Sequence, residues 1–237
     1  MTPSVELFEV RDLRLEETAP PVLSAADRAD RDRVWEEAVR HNPTLFDGPV
    51  VAVTGLTREG PYGLRVSWTR TTYRHHALRR VRGATSWLPA LFVSVVQPST
   101  DGTVLVGRMA SWTATPGRWQ LPGGSVEPPP DGEDLDLTAV RGEAARELRE
   151  ETGITAPPES LSLCLATRST SIGLIFKSRP LPPATLHTAH NSLAESHASG
   201  PHPPEFDEIA LLRTPATSLP AGGTAYLEHV LNHHATR

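Results

Sequence analysis

The chain has 237 residues, with 28 Asp and Glu against 23 Lys and Arg, a formal net charge of -5. That charge is local: residues 127–151 hold nine acids and three bases, and the other 212 residues sum to +1. No broad basic stripe exists, which excludes a protein that coats nucleic acid. Apolar residues interrupt the acidic segment at helical spacing, which excludes a solvated acidic tail.

Length and a 38% hydrophobic share suit one generous domain, or a core domain with an N-terminal extension. Fifteen of the 23 prolines follow residue 115, in runs such as Pro128-Pro129-Pro130, Pro182-Pro183 and Pro203-Pro204, and mark stiff loops. Cys164 is alone, so no internal disulfide forms, and its apolar setting reads as a buried structural thiol. The chain opens with Glu6 and Glu9 rather than a basic region and an apolar stretch, so a signal peptide is not expected. No run approaches the roughly 18 apolar residues of a membrane span. A soluble, cytoplasmic protein with neither membrane nor nucleic acid as partner is expected.

In chain order, Val5–Val10 alternates like a strand, and Ser24 is placed to cap a helix running to about Arg40. Val50–Thr54 and Leu64–Trp68 read as strands joined by a turn at Glu59–Gly63, and Thr71–Arg80 as a short helix. Leu91–Val96 and Val104–Gly107, with a turn at Ser99–Gly102, read as a hairpin opening a second unit. Leu161–Thr167 and Ile172–Lys177 are further strands. A Pro- and His-rich connection at residues 179–204 then leads to a strand at Ile209–Leu212 and a helix near Ala225–His233. The order of elements implies a mixed α/β domain with a small N-terminal α/β module.

The chemistry lies in residues 137–153. Leu137, Val140, Ala144 and Leu148 define the buried face of a helix, and Gly153 stands where a C-terminal glycine would end it. Glu143, Glu147 and Glu151 stack at i, i+4 and i+8, beside Glu150. Like charges at that spacing repel, so the stack reads either as a solvated face paired with Arg146 and Arg149 or as a site for a hard cation such as Mg²⁺.

Gly123-Gly124, followed by Arg146-Glu147-Leu148-Arg149-Glu150-Glu151-Thr152-Gly153-Ile154, resembles the Nudix box, Gly-x5-Glu-x7-Arg-Glu-U-x-Glu-Glu-x-Gly-U with U aliphatic. The second half matches at every fixed position. In the first half Gly124 and Arg146 stand 22 positions apart where the signature has 14, so eight residues are inserted around Pro128–Asp136. The early glutamate is then Glu133 or Glu127.

The resemblance implies a Nudix α/β/α sandwich around a mixed sheet at residues 86–237, preceded by the N-terminal module at residues 1–85. It implies hydrolysis of a nucleoside diphosphate linked to another moiety, with Mg²⁺ or Mn²⁺ as cofactor. Glu147, Glu150 and Glu151 take the metal-ligand positions, joined by the Gly124 carbonyl, while Arg146 orients the carboxylates. Glu205, just before the strand at Ile209–Leu212, falls where relatives place another acidic ligand or base; Glu208 is the other acid there.

A second resemblance involves Trp35, Asn42–Pro49, Thr72-Tyr73-Arg74, Pro122-Gly123-Gly124 and Arg168–Ser171. These look like the Nudix subgroup that hydrolyses UDP-glucose and UDP-galactose to UMP and sugar 1-phosphate. Tyr73, Arg74, Arg168 and Lys177 are its candidate substrate-binding residues, and relatives' habit allows a homodimer. The alternatives are a Nudix pyrophosphatase for ADP-ribose, a dinucleotide or an NTP, and a catalytically silent nucleotide sensor. His187, His190, His197 and His202 crowd the Pro-rich connection without the close partners zinc requires. They are expected in a mobile loop over the active site, where Glu195 or a histidine assists a base.

Overall fold

A computed structural model describes residues 4–197, 203–215 and 219–235. Among these residues ten strands form two sheets: β1 (Glu6–Glu9), β2 (Asp12–Glu17), β3 (Pro49–Glu59), β4 (Gly63–Thr72), β5 (Ala90–Val96), β6 (Thr103–Met109), β7 (Trp119–Gln120), β8 (Ser162–Arg168), β9 (Ser171–Lys177) and β10 (Phe206–Arg213). The larger sheet has the order β1-β8-β9-β5-β3-β4-β2, the smaller β10-β6-β7. Strands β5 and β9 run parallel, as do β2 and β4, and the remaining pairs are antiparallel. The larger sheet is therefore mixed.

Strands β5 and β9 are nearly continuous apolar runs because both of their faces are covered. Side-chain alternation divides them between two cores. Leu91, Val93, Val95, Leu174 and Phe176 pack with Val140, Ala144 and Leu148 of helix α2 (Leu137–Thr152). Val96, Leu165 and Ile175 pack on the other side with Val104, Val106 and Trp119, and with Leu227, Val230 and Leu231 of helix α4 (Leu227–Ala235). The product is an α/β/α sandwich, the expected fold class. The remaining described helices are α1 (Ala25–His41) and α3 (Pro183–His197), with a 3-10 helix at Tyr73–Arg80 and a single 3-10 turn at Pro158–Ser160. Ser24 caps α1 by accepting from Asp27 N–H at 2.9 Å. Among the described residues no helix is long and apolar enough to cross a membrane.

Two local expectations change, and one strand was not expected. Strands β5 and β6 do not form a hairpin, because both edges of β5 are taken by β9 and β3 while β6 pairs with β10 and β7. The Pro/His-rich connection is not a loop over 179–204. Pro183 opens α3, as proline does at a first helical position, and Leu186 and His190 form its buried stripe. His202 lies outside the described residues. Strand β2 carried no sequence signal, since its run Asp12–Glu17 buries only Leu13 and pairs at the sheet edge with β4.

The N-terminal strands join the same sheet: β1 extends it at β8 and β3 meets β5 at Ala52–Ala90. Between β3 and β5 the sheet splits. Residues 122–126 enter the gap, with Val51 N–H donating to the Val126 carbonyl and Val93 N–H to the Gly124 carbonyl, both at 2.9 Å.

Two stability predictions follow from this packing. A Cβ on Gly107 would stand 2.0 Å from the ring of Phe206, which is fully buried. Gly107→Ala therefore destabilises by about 1–3 kcal/mol in urea unfolding, and Phe206→Leu in the same chain recovers part of the loss. His76 in the 3-10 helix has its pKa lowered to about 4 by burial, then by His75 and Arg79. The folded state keeps this ring neutral while the unfolded chain protonates below the ordinary value of 6.5. Its contribution is complete above pH 6.5 and falls toward pH 4, costing on the order of 2 kcal/mol at pH 5. His76→Gln flattens that slope in urea titrations run from pH 7 to pH 5.

Candidate functional site

Helix α2 is fixed at both ends before its acids do anything. Asp136 caps it by accepting from Ala139 N–H at 2.8 Å, and Gly153 ends it at φ 75°, donating to the Arg149 carbonyl. Asp136 thus belongs to the helix, whereas Asp131, Glu133 and Asp134 of the insertion are exposed. The buried stripe sets the roll of the helix and turns Glu151 inward, at 1% exposure, with Glu147 on its flank and Glu150 at the rim.

The inserted residues are anchored. Leu135 is buried in the core, and Arg70 on β4 donates to the carbonyls of Pro129 and Pro130. The insertion therefore lies against the N-terminal strands and leaves the helical carboxylates in place. Glu127 and Glu133, the alternatives for the early glutamate, are both exposed.

The Gly123-Gly124 loop meets the helix in the sheet split. Gly123 has φ 156°, and a Cβ there would stand 2.1 Å from the Val93 carbonyl, so no side chain fits. Its N–H donates to Glu151 Oε2 at 2.6 Å, whereas Glu151 Oε1 is buried without a hydrogen-bond partner. Gly124 lies against Glu147, since a Cβ on it would stand 2.6 Å from Glu147 Oε1. Arg146 donates to Glu143 at 2.7 Å and to Glu147 and Glu150 at 2.8 Å each.

Burial pushes the Glu147 carboxyl up to about 7; Arg146 opposes this, and Glu205, Glu150 and Glu143 reinforce it. Burial and then Glu147 hold Glu151 well above the ordinary range, against the pull of the Gly123 N–H. Glu205 stands at the solvent rim, where lost hydration and then Glu150 raise its carboxyl. Burial acts against the charge of Arg146, but the Glu143 hydrogen bond and the charges of Glu147, Glu143 and Glu150 hold the guanidinium above its ordinary value. The site sets the buried carboxyl of Glu151 and the largely buried one of Glu147 against Glu150 and Glu205 at the rim, with Arg146 bridging Glu143, Glu147 and Glu150. As the side chains stand, no three His, Cys, Asp or Glu among the described residues form a closed ligand cluster. The orphaned Glu151 Oε1 and the oxygen-only donor set nevertheless fit a hard divalent cation.

One residue of this centre had no sequence signal. Tyr226 Oη lies 3.3 Å from Ser94 Oγ, and Ser94 Oγ is 2.6 Å from where a Gly123 Cβ would be. The Tyr226 ring packs at 5.3 Å on Phe92. The segment before it is tied to β7, with Thr224 N–H donating to the Trp119 carbonyl at 2.9 Å. Tyr226 therefore backs the loop that holds Glu151, from 132 residues away along the chain from Ser94.

Tyr73 and Arg74 sit in a packed unit, and Tyr73 is near enough to Glu205 to feel its charge. Tyr73 meets Trp35 and His76 edge-on at 6.1 and 5.5 Å, and burial, with a smaller push from Glu205, raises its phenol. Arg74 pairs with Asp47 at 3.0 Å and Asp32 at 3.5 Å, and its N–H donates to Asp47 at 2.7 Å. The Asn42–Gly48 loop is thereby pinned, and Asn42 and Thr44 donate on to the Trp112 carbonyl. Arg168 and Lys177 are not brought together. The β8–β9 register sets Arg168 opposite Ile172 and Lys177 opposite Ser162, which separates them by roughly 17 Å along the sheet. Arg168 pairs with Glu6 at 3.9 Å, and Lys177 lies near His234. Of the α3 histidines, His190 is buried with Nε2 at 3.2 Å from the Phe206 carbonyl. Cys164 is only partly buried, and its thiol donates to the Ile175 carbonyl at 3.2 Å.

No match was found among curated proteins. Solved structures that resemble the chain include a MutT/nudix family protein from Enterococcus faecalis, at 17% identity and TM-score 0.33, covering 52% of this chain and 43% of that one. The MutT protein from Methanosarcina mazei Go1 is 23% identical with TM-score 0.35, over 53% of this chain and 78% of that one. A bifunctional NMN adenylyltransferase/ADP ribose pyrophosphatase from Francisella tularensis is 15% identical with TM-score 0.33, over 53% and 34%. The chain thus spans less than half the length of the Enterococcus and Francisella proteins. A sequence profile of the NUDIX domain matches residues 89–223, a span that contains the glycine loop, the acidic helix and Glu205. That span exceeds half of the sequence, and the chain belongs to the NUDIX family.

Proposed function

We propose that this pyrophosphohydrolase cleaves the pyrophosphate of a nucleoside diphosphate sugar, a UDP-sugar giving UMP and sugar 1-phosphate, with Mg²⁺ or Mn²⁺ at the acidic helix. The observation that carries the metal-dependent chemistry is Glu151, a buried carboxylate with one oxygen locked by Gly123 and the other without a partner. Glu147, Glu150 and Glu151 would hold the ion with the Gly124 carbonyl, which has a second lone pair beyond the one facing Val93 N–H. Such an ion, when bound, neutralises pyrophosphate charge and lowers the pKa of water.

The chain's own groups divide the remaining work. Arg146 gathers Glu143, Glu147 and Glu150 through its fork, so each carboxylate keeps a fixed rotamer. Glu205 is the proton acceptor in this reading, because it stands at the rim of the same centre with its carboxyl raised by lost hydration and then by Glu150. Tyr73 is the substrate contact, and Arg74 serves it by holding the Asn42–Gly48 loop. Arg168, more than half exposed at its strand end, is available to a sugar or phosphate group there, and Lys177 at the far end is a weaker candidate. Residues 1–85 act as the module that selects the substrate.

Phosphate release from a nucleotide panel with Mg²⁺ tests this. Wild type turns over UDP-glucose, and Glu151→Gln loses 10²-fold or more of kcat because a neutral amide replaces the anionic oxygen. Turnover of ADP-ribose, a dinucleotide or an NTP in place of UDP-sugars would sink the substrate assignment. Nucleotide binding without turnover of any would make the protein a sensor. Tyr226→Phe keeps the ring and removes the hydroxyl opposite Ser94. It lowers kcat about 3–10-fold with KM for the nucleotide nearly unchanged, while the melting temperature moves by no more than about 2 °C.

A further inference from the structure

The carboxyl of Glu205 is placed by its backbone. It stands at the solvent rim, and among the described residues no hydrogen bond or ion pair holds it. It is nevertheless close enough to Glu150 and Arg146 of α2 for both charges to act on it. Glu205 immediately precedes Phe206, the first residue of β10, which is an edge strand with β6 on one side only. Ala110 N–H donates to the Glu205 carbonyl at 2.7 Å, which turns that carbonyl toward β6. Successive carbonyls of a strand point to opposite sides, so that of Phe206 points outward, away from the ladder. A carbonyl there takes its donor from another element.

His190 of α3 is that donor. Its Nε2 lies 3.2 Å from the Phe206 carbonyl oxygen, and the residue is 7% exposed. A carbonyl only accepts, so Nε2 carries the proton. The register shifts between Phe206 and Glu208, which makes Asp207 the extra residue of a bulge. At a bulge the ladder is locally broken, and it no longer fixes the peptide that follows Phe206. The helix carrying His190 is also seated on the acidic helix, since a Cβ on Gly153 would stand 2.5 Å from the Ala189 carbonyl. Leu186, one turn earlier, is buried in the same core as Val140 and Leu148 of α2. Consecutive residues of α3 thus meet the end of the helix that bears Glu151 and the start of the strand that follows Glu205.

We infer that His190 is a positioning residue, whose hydrogen bond to the Phe206 carbonyl holds Glu205 in place against the carboxylates of α2. The inference rests on the assignment of Glu205 as the proton acceptor, and not on which nucleotide is cleaved. The Phe206 ring is already fixed against Gly107, and the Glu205 carbonyl by Ala110. The peptide after Phe206 is the remaining hinge at this point, and His190 closes it. A base displaced by about 1 Å loses rate, because proton transfer requires hydrogen-bond reach. Nucleotide affinity does not depend on that reach, so the loss falls on kcat and spares KM.

Kinetics of the full chain with Mg²⁺ test this, using whichever nucleotide of the panel wild type turns over. Glu205→Gln first establishes the base, with kcat lowered about 10²-fold or more. His190→Leu removes the donor, lowers kcat about 5–20-fold and leaves KM within about 2-fold. His190→Gln returns an N–H donor near the place of Nε2 and recovers most of the loss. In the Glu205→Gln chain, His190→Leu changes kcat by less than about 2-fold, because the group it positions is gone. His190→Asn, whose amide stops short of the carbonyl, takes the place of His190→Leu if the melting temperature shows that chain unfolded. Full activity in Glu205→Gln, or no turnover of any nucleotide by wild type, removes the base assignment and the inference with it. With the base established, three results overturn the inference alone: unchanged kcat in His190→Leu, an equal loss in His190→Gln, or a loss that persists in the Glu205→Gln chain.

Discussion

The contact on which the rest of the structure depends is the hydrogen bond from Gly123 N–H to Glu151 Oε2, 2.6 Å long and buried. It joins the C-terminal turn of α2 to a loop inside the larger sheet. For the loop to reach that position, β3 and β5 must part, and they do after a single pair of residues. For the backbone to come so close to β5, residue 123 must lack a side chain, since the Val93 carbonyl occupies the space a Cβ would need. For a carboxylate to remain at 1% exposure, the loop must return a hydrogen bond to it. Sheet split, glycine and buried acid are three aspects of one constraint.

That constraint explains why a helix with stacked glutamates is stable at all. Each i, i+4 repulsion on α2 costs a few tenths of a kcal/mol. Full burial of Val140 and Leu148 contributes roughly 1.5–3 kcal/mol apiece, and the Asp136 cap adds about 1. The apolar stripe and the caps outweigh the repulsion before any ion is considered, so the carboxylates are held in place by packing, not by a ligand. Arg146 then offsets part of the remaining repulsion through three hydrogen bonds. A cation arriving at this centre meets groups whose backbone positions are already settled, which is the physical meaning of preorganisation here.

Legibility in the sequence followed locality. Helix α2, its face and its terminal glycine were readable because they rest on spacings of three and four residues, and the glycine loop because its motif is contiguous with its function. Helix α1 was readable from its cap at Ser24. Strand β2 was not, because an edge strand with one buried residue has no alternating pattern to detect. Helix α3 reads as a loop in the sequence because Pro182-Pro183 announces a turn, and only its packing shows that Pro183 starts a helix. The β5–β6 hairpin failed for a topological reason: local turn chemistry at Ser99–Gly102 is real, with Ser99 N–H donating to the Thr103 carbonyl, but the strands it joins belong to different sheets. Tyr226 was invisible because nothing in its neighbourhood along the chain points to Ser94.

The N-terminal segment bears on the mouth of the centre without supplying any of its carboxylates. Strand β3 begins where Asn42–Gly48 ends, and β4 ends where the 3-10 helix begins, with Pro49 opposite Thr72. Asp47 receives Arg74 from one side of that junction, while Asn42 and Thr44 reach across to the Trp112 carbonyl beyond β6. One loop is therefore pinned both to the N-terminal strands and to the connection between β6 and β7. Phe46 at its tip is 79% exposed, unlike the other aromatic rings of that unit, Trp35 and Tyr73, which pack on each other. The contacts of this loop are distinct from the Gly123–Glu151 bond, which is anchored on β5 and α2. Under the proposed function, selection of the substrate would rest on this loop and cleavage of the pyrophosphate on the split within the sheet, two parts of the fold held by separate contacts.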